Sequence, residues 1–176
     1  MRSVGLALSL SLVLSLVFGT VSAEEKRASP HDKAQAVLAG KKVTIEYGRP
    51  YKKGRTIFGG LVPYDQVWRT GADEATTLTT EGDLLIGALR VPKGSYALFT
   101  VPGPNAWTLV VSKNAQQWGA FKYDAKEDLG RVPMKLGANA ALVEQLTIAL
   151  EPAGPRKAIL KLSWDKLIAS VPLAAP

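Results

Sequence analysis

Apolar residues in this chain recur at every second position, in short runs that end at proline or glycine. Lys42–Tyr47 is the clearest run, with Val43, Ile45 and Tyr47 on one face and Thr44 and Glu46 on the other. That spacing is the period of a half-buried β-strand; on an α-helix the same residues would scatter around the axis. Ala34–Leu38 precedes it across Ala39-Gly40-Lys41 and reads as its hairpin partner, and Thr76–Thr80 is a β-branched run. Leu84–Val91 is apolar apart from the interruption at Gly87, and ends at Pro92. The Pro92-Lys93-Gly94-Ser95 turn then predicts that Leu84–Val91 and Ser95–Val101 are adjacent antiparallel strands, with Tyr96 and Leu98 on one face. Ala106–Ser112, Val143–Leu150, Lys157–Trp164 and Leu167–Leu173 complete the set. Asn139–Gln145 is the best short helical candidate. Many short strands with turns between them predict an all-β fold, a single antiparallel β-sandwich of jelly-roll or Ig-like type.

The N-terminus follows a different rule. After Arg2, the stretch Ser3–Ala23 holds no charge, is rich in Leu and Val, and exits through Val21-Ser22-Ala23 into Glu24-Glu25. A charged start, an apolar core and small residues before a polar exit form the three-part layout of a secretory signal peptide. Residues 1–23 are expected to be removed, leaving residues 24–176 as one β domain that starts at Glu24; an uncleaved anchor is the alternative reading. Export to the periplasm or the exterior follows, with no membrane attachment after cleavage. The chain has no cysteine, which excludes a disulfide framework, a thiol nucleophile and Cys-ligated metal centres. Its 22 Lys+Arg against 15 Asp+Glu are spread along the sequence, and no basic stripe interleaved with aromatics marks a nucleic-acid reader. The charge is read as solubility and a preference for anionic surfaces. Neither nucleic acid nor a cofactor is expected, and the oligomeric state is expected to be monomer or homodimer.

One segment breaks the alternation. Gly48–Ala75 runs for 28 residues without it, and loops of that length in a compact domain are usually functional unless they hide structure of their own. It contains Tyr47-Gly48-Arg49-Pro50, Gly54-Arg55, Phe58-Gly59 and the block Trp68-Arg69-Thr70-Gly71-Ala72, which leads through Glu74-Ala75-Thr76. Ser29-Pro30-His31 lies upstream; Gly94-Ser95-Tyr96, Trp107, Trp118-Gly119 and Tyr123-Asp124 follow in order downstream. Together these resemble the signature of the exported bacterial family called domain of unknown function 2911, over about residues 29 to 173. Two positions depart from its pattern: Asp73, where asparagine is expected, and Lys93, where alanine is usual. The resemblance implies a fold and export but no activity.

Arg49, Arg55 and Arg69 carry fixed charge on planar donors suited to carboxylate or phosphate. Asp73 and Glu74 are candidate partners, and Trp68, Tyr51 and Tyr64 offer stacking faces. One reading makes residues 49–76 the binding surface for a small anionic or sugar-like ligand. The other makes the arginines and acids a network that orders the loop within a structural or interaction domain. On that second reading Arg69 is buried against Asp73 or Glu74, and Arg55 is the more exposed of the two. His31, beside Asp32, is a candidate base or ligand contact, or else part of a surface pair; one histidine makes no metal site expected. Trp107, Trp118 and Trp164 are expected in the core or on strand faces. Glu144 and Glu151, seven apart, face opposite sides of an ideal strand and make no glycosidase pair. A hydrolase or isomerase using carboxylate and arginine chemistry is the remaining alternative; no catalytic motif singles one out.

Overall fold

A computed structural model describes residues 29–176. The uncharged N-terminal stretch, and with it the expected cleavage after Ala23, lies outside the described residues. Nine strands follow in order: β1 His31–Leu38, β2 Lys41–Gly48, β3 Thr76–Thr80, β4 Leu84–Ile86, β5 Leu89–Val91, β6 Gly94–Pro102, β7 Trp107–Ser112, β8 Asp128–Pro152 and β9 Lys157–Ala174. They form one antiparallel sheet in the order β1-β2-β3-β6-β7-β8-β9-β4-β5. The helical content of the described residues is one 3₁₀ turn at Ala125–Glu127, capped by Asp124, whose side chain accepts from the Lys126 N–H. None of it is long and apolar enough to cross a membrane.

The alternation translates directly into burial. On β2, Val43, Ile45 and Tyr47 are buried while Glu46 is exposed. The turn from β1 to β2 has φ of 50° at Ala39 and 76° at Gly40, the pair of left-handed residues that matches a hairpin to the strands' own twist. β6 is buried on both faces. Tyr96 and Leu98 belong to the main core, whereas Ala97 and Phe99 join Ala75 and Val110 in a second, smaller cluster.

Three departures from the expected strands have physical causes. Leu84–Val91 is not one strand paired with Ser95–Val101. It folds on itself as the β4–β5 hairpin, turning at Gly87 with φ of 57°, while β6 pairs with β3 and β7. Gly87 also sits where a Cβ would lie 2.7 Å from Val132 Cγ1, so the turn packs against β8. The helical candidate Asn139–Gln145 is part of β8, within its register shifts between Ala138, Val143 and Thr147. Finally, Lys157–Trp164 and Leu167–Leu173 are one strand. Ala158, Leu160, Leu162 and Trp164 are buried at even positions, and Ala169, Val171 and Leu173 at odd ones. Asp165, at φ 55°, absorbs the change of phase and keeps both halves facing the core.

Gly48–Ala75 is held by backbone pairs, two of them to the sheet, at Tyr51 and Trp68. Tyr51 bridges Gln145, Phe58 bridges Val62, Trp68 bridges Thr100 and Glu74 bridges Trp118. Its two ends meet at Gly48 and Gly71. A Cβ on Gly48 would lie 2.3 Å from the Ala72 carbonyl oxygen, and one on Gly71 would lie 2.9 Å from the Gly48 oxygen. Only glycine permits that approach.

Candidate functional site

Trp68 enters the site as an extension of the sheet. Its N–H donates to the Thr100 carbonyl at 2.8 Å, and its own carbonyl accepts from Thr100 N–H at 2.9 Å. The chain then turns sharply. Thr70 and Asp73 have φ of 60° and 63°, an uncommon conformation for any non-glycine residue and a costly one for β-branched Thr70. Buried hydroxyl bonds hold it there: Thr70 Oγ1 lies 3.2 Å from Thr100 Oγ1, and Thr76 Oγ1 donates to the Thr70 carbonyl at 3.0 Å. This strained turn positions Arg69 and Asp73.

Beneath it lies a set of packed rings. The Trp68 and Trp164 indoles stack at 6.0 Å with 18° between their planes, and Phe58 meets Trp68, Trp107 and Trp164 edge-on. Trp107 and Trp164 are fully buried, whereas Trp118 is 56% exposed and belongs neither to the core nor to a strand face. Over this floor opens a cavity of about 480 Å³. Trp68 and Trp164 line it together with Leu61, Val62, Tyr51, Lys53, Arg55, Arg69 and Asp73, and Ser29, Pro50, Gly71 and Ala72 complete the wall.

The three arginines separate sharply. Arg49 lies outside the cavity with every nitrogen engaged: Nε donates to the Leu146 carbonyl at 3.0 Å, one terminal nitrogen to Asp32 Oδ2 at 2.9 Å and the other to Thr147 Oγ1 at 3.0 Å. Arg55 is exposed at the cavity mouth and folds back on its own loop, donating to the Lys52 carbonyl at 2.9 Å and to the Tyr51 carbonyl. Arg69 is half-buried in the cavity wall, and its Nε is buried with no hydrogen-bond partner among the described residues. No ion pair joins Arg69 to Asp73 or Glu74, so the expected buried pairing is absent among the described residues. The acids go to the histidine instead. His31 Nε2 lies 3.2 Å from Asp73 Oδ2 and 3.5 Å from Glu74 Oε2, while Asp32, its neighbour in sequence, takes Arg49. His31 and Glu74 line a separate concavity of about 230 Å³.

Of the candidates named from the sequence, then, Tyr51, Arg55, Trp68, Arg69 and Asp73 line the cavity; Arg49, His31, Tyr64 and Glu74 do not. Lys53, Leu61, Val62 and Trp164 line it without having been singled out as site residues. Lys53 sits two residues from Arg55 in the same hydrophilic run, which is the one signal that could have marked it. Among the described residues no three His, Cys, Asp or Glu side chains group so as to hold a metal ion.

Away from the cavity, burial pushes the Tyr47 phenol above its ordinary range; its hydroxyl donates to the Ile148 carbonyl at 3.3 Å and accepts from Ile148 N–H at 2.9 Å. Burial, and next the Asp128 carboxylate 2.8 Å away, raise Tyr123 likewise.

The fold and site define an all-β protein with a cationic cavity walled by tryptophan. The chain belongs to the family described as protein of unknown function DUF2911, whose family model matches residues 29–173. No curated protein and no solved structure matches it significantly.

Proposed function

We propose that this is an exported binding protein that holds a small anionic or sugar-like ligand in the cavity under the 49–76 loop, without catalysing its conversion. The observation that carries the reading is Arg69. A guanidinium nitrogen buried without a partner costs about 1–3 kcal/mol or more, and a ligand oxygen would remove that cost. Lys53 and Arg55 at the mouth add attraction for an anion, and the tryptophan wall offers apolar contact. Three cations face a single carboxylate, Asp73, and no second carboxylate among the described residues lines the cavity for acid and base roles. A hydrolase or isomerase therefore has less to stand on.

Export rests on the uncharged Ser3–Ala23 stretch and its Val21-Ser22-Ala23 exit. The mature chain acts in the periplasm or outside the cell as a monomer or homodimer, free of nucleic acid and membrane. As for architecture, the continuous sheet folds face to face as a sandwich: Tyr47 on β2 and Ile148 on β8 are far apart in strand order yet share two hydrogen bonds.

The structural reading has support of its own at the other end of the loop. Arg49 with Asp32, and Lys52 Nζ at 2.7 Å from Asp165, tie loop to sheet and need no ligand. A thermal-shift screen against organic acids, sugar acids, nucleotides and peptides separates the two. Stabilisation by an anion that disappears in Arg69→Met supports binding; no shift with any of them supports the architectural role.

A further inference from the structure

Resting on the cavity as a binding site, we infer that its ligand is a carboxylated sugar, a hexuronic acid unit either free or at the end of a chain. Four features of the wall point there. The first is depth. Arg69 is half-buried in the cavity wall, while Lys53 and Arg55 are exposed. The inner cation therefore addresses one fixed, planar oxyanion, and a carboxylate matches a guanidinium's paired donors. The second is the state of Asp73. Its side chain is only 15% exposed, and Oδ2 is engaged by His31 at 3.2 Å, so Oδ1 remains as the acceptor for a ligand donor. The third is the balance of charge. With Lys53, Arg55 and Arg69 all on the wall, an ammonium beside Asp73 would meet net repulsion, whereas a neutral hydroxyl would not. That selects a hydroxylated acid over a zwitterionic amino acid. The fourth is the apolar wall. Trp68, Leu61 and Tyr51 give one side of the cavity a surface suited to the C–H face of a sugar ring and wasted on a compact inorganic anion. A volume of about 480 Å³ leaves room for one such ring and part of its neighbour.

Calorimetric titration of the mature protein tests this with glucuronate, galacturonate, a galacturonate trisaccharide, the neutral parents glucose and galactose, glucose 6-phosphate, inorganic phosphate, citrate and glutamate. A uronate should bind at least 10-fold more tightly than its neutral parent, about the least that a charge-assisted hydrogen bond supplies. Arg69→Met should weaken that binding about 10- to 100-fold, the loss expected for the same bond. Asp73→Asn, whose amide oxygen still accepts while asparagine tolerates the positive φ, should weaken it by less than Arg69→Met. Circular dichroism melts show that each variant is folded, so weak binding is not mistaken for unfolding. A tighter trisaccharide identifies a chain end as the ligand; an equal or tighter monosaccharide identifies the free acid. Uronates binding no better than glucose or galactose overturns the inference. So does tighter binding of either phosphate compound, citrate or glutamate, although loss of that binding in Arg69→Met would leave the anion cavity standing. Failure of all the anions, with Arg69→Met indistinguishable from the parent, removes both.

Discussion

The two ends of the Gly48–Ala75 loop carry the same residue types and put them to opposite uses. At the near end, Arg49 reaches β1 through Asp32 and β8 through Leu146 and Thr147, and Lys52 reaches Asp165 on β9. At the far end, Arg69 sits in a cavity wall with a buried nitrogen that meets no acceptor among the described residues. The first end is a clamp that closes three strands on one another; the second is an unfilled set of donors. A cation whose donors all meet acceptors in the fold ties its elements together, whereas a buried donor without one costs about 1–3 kcal/mol that a ligand oxygen would offset. The strained Thr70 and Asp73 backbone beside Arg69 adds to the same cost.

Breaking the clamp should produce the largest effect. Arg49→Met removes three hydrogen bonds, to the Leu146 carbonyl, Thr147 Oγ1 and the Asp32 carboxylate. With the Asp32 side chain about half exposed, and hydrogen bonds to charged groups contributing about 1.5–3 kcal/mol, the expected loss is about 2–3 kcal/mol in a urea melt. A loss below about 0.5 kcal/mol, the range of an ordinary surface substitution, would show that the near end is no clamp. Gly48→Ala tests where the two ends meet. Its Cβ would press on the Ala72 carbonyl at 2.3 Å, and backbone cannot swing aside as a side chain can. Such overpacking costs about 1–3 kcal/mol, and the same melt should show it; because the shift also displaces Asp73, the variant should lose ligand affinity too. Wild-type stability with unchanged binding would mean the ends move independently.

The comparison also marks what could be read from the sequence. Alternation bounded by turns located β1, β2, β3, β6 and β7, and on half-buried β2 it also gave the orientation, though not on β6, which is buried on both faces. It failed at Leu84–Val91, where both faces are apolar and one glycine makes the turn, and at Asp165, where a bulge inside one strand mimics a gap between two. It also passed over much of β8, whose residues 137–142 are largely exposed and carry no apolar rhythm. At the site, the loop and its arginines were visible as a break in pattern. Which arginine is paired was not, since Arg49's acceptors on β8 lie 97 and 98 residues away and Arg69 is distinguished only by an Nε that meets none among the described residues. His31 illustrates the same limit, for its carboxylate at Asp73 comes from 42 residues along the chain and not from adjacent Asp32.

Tyr47 offers a smaller and pH-dependent effect that belongs to the clamp side. Burial holds its phenol protonated above the ordinary value of 10.0. Its contribution is fully present below the unfolded value, near pH 10, and is lost as pH rises through the higher folded value. Tyr47→Phe should cost about 1 kcal/mol at pH 7 through the lost bonds to Ile148, and should flatten the alkaline fall in stability. An unchanged fall above about pH 10 would assign it to other groups, Tyr123 first among them.

The smallest effect on stability is expected where the functional consequence is greatest. Arg69→Met keeps most of the apolar stem and removes a guanidinium whose Nε has no hydrogen-bond partner among the described residues. Surface-like substitutions of that kind shift stability by about 0.5 kcal/mol or less, and removal of a buried orphan donor acts in the stabilising direction. Urea melts of Arg49→Met and Arg69→Met, run side by side, should therefore differ by about 2 kcal/mol although the two substitutions are chemically identical. A loss of about 3 kcal/mol for Arg69→Met would reveal a partner inside the fold and transfer it to the clamp. A neutral result, joined to loss of anion-induced stabilisation, would set Arg69 apart as the residue whose partner arrives from solution.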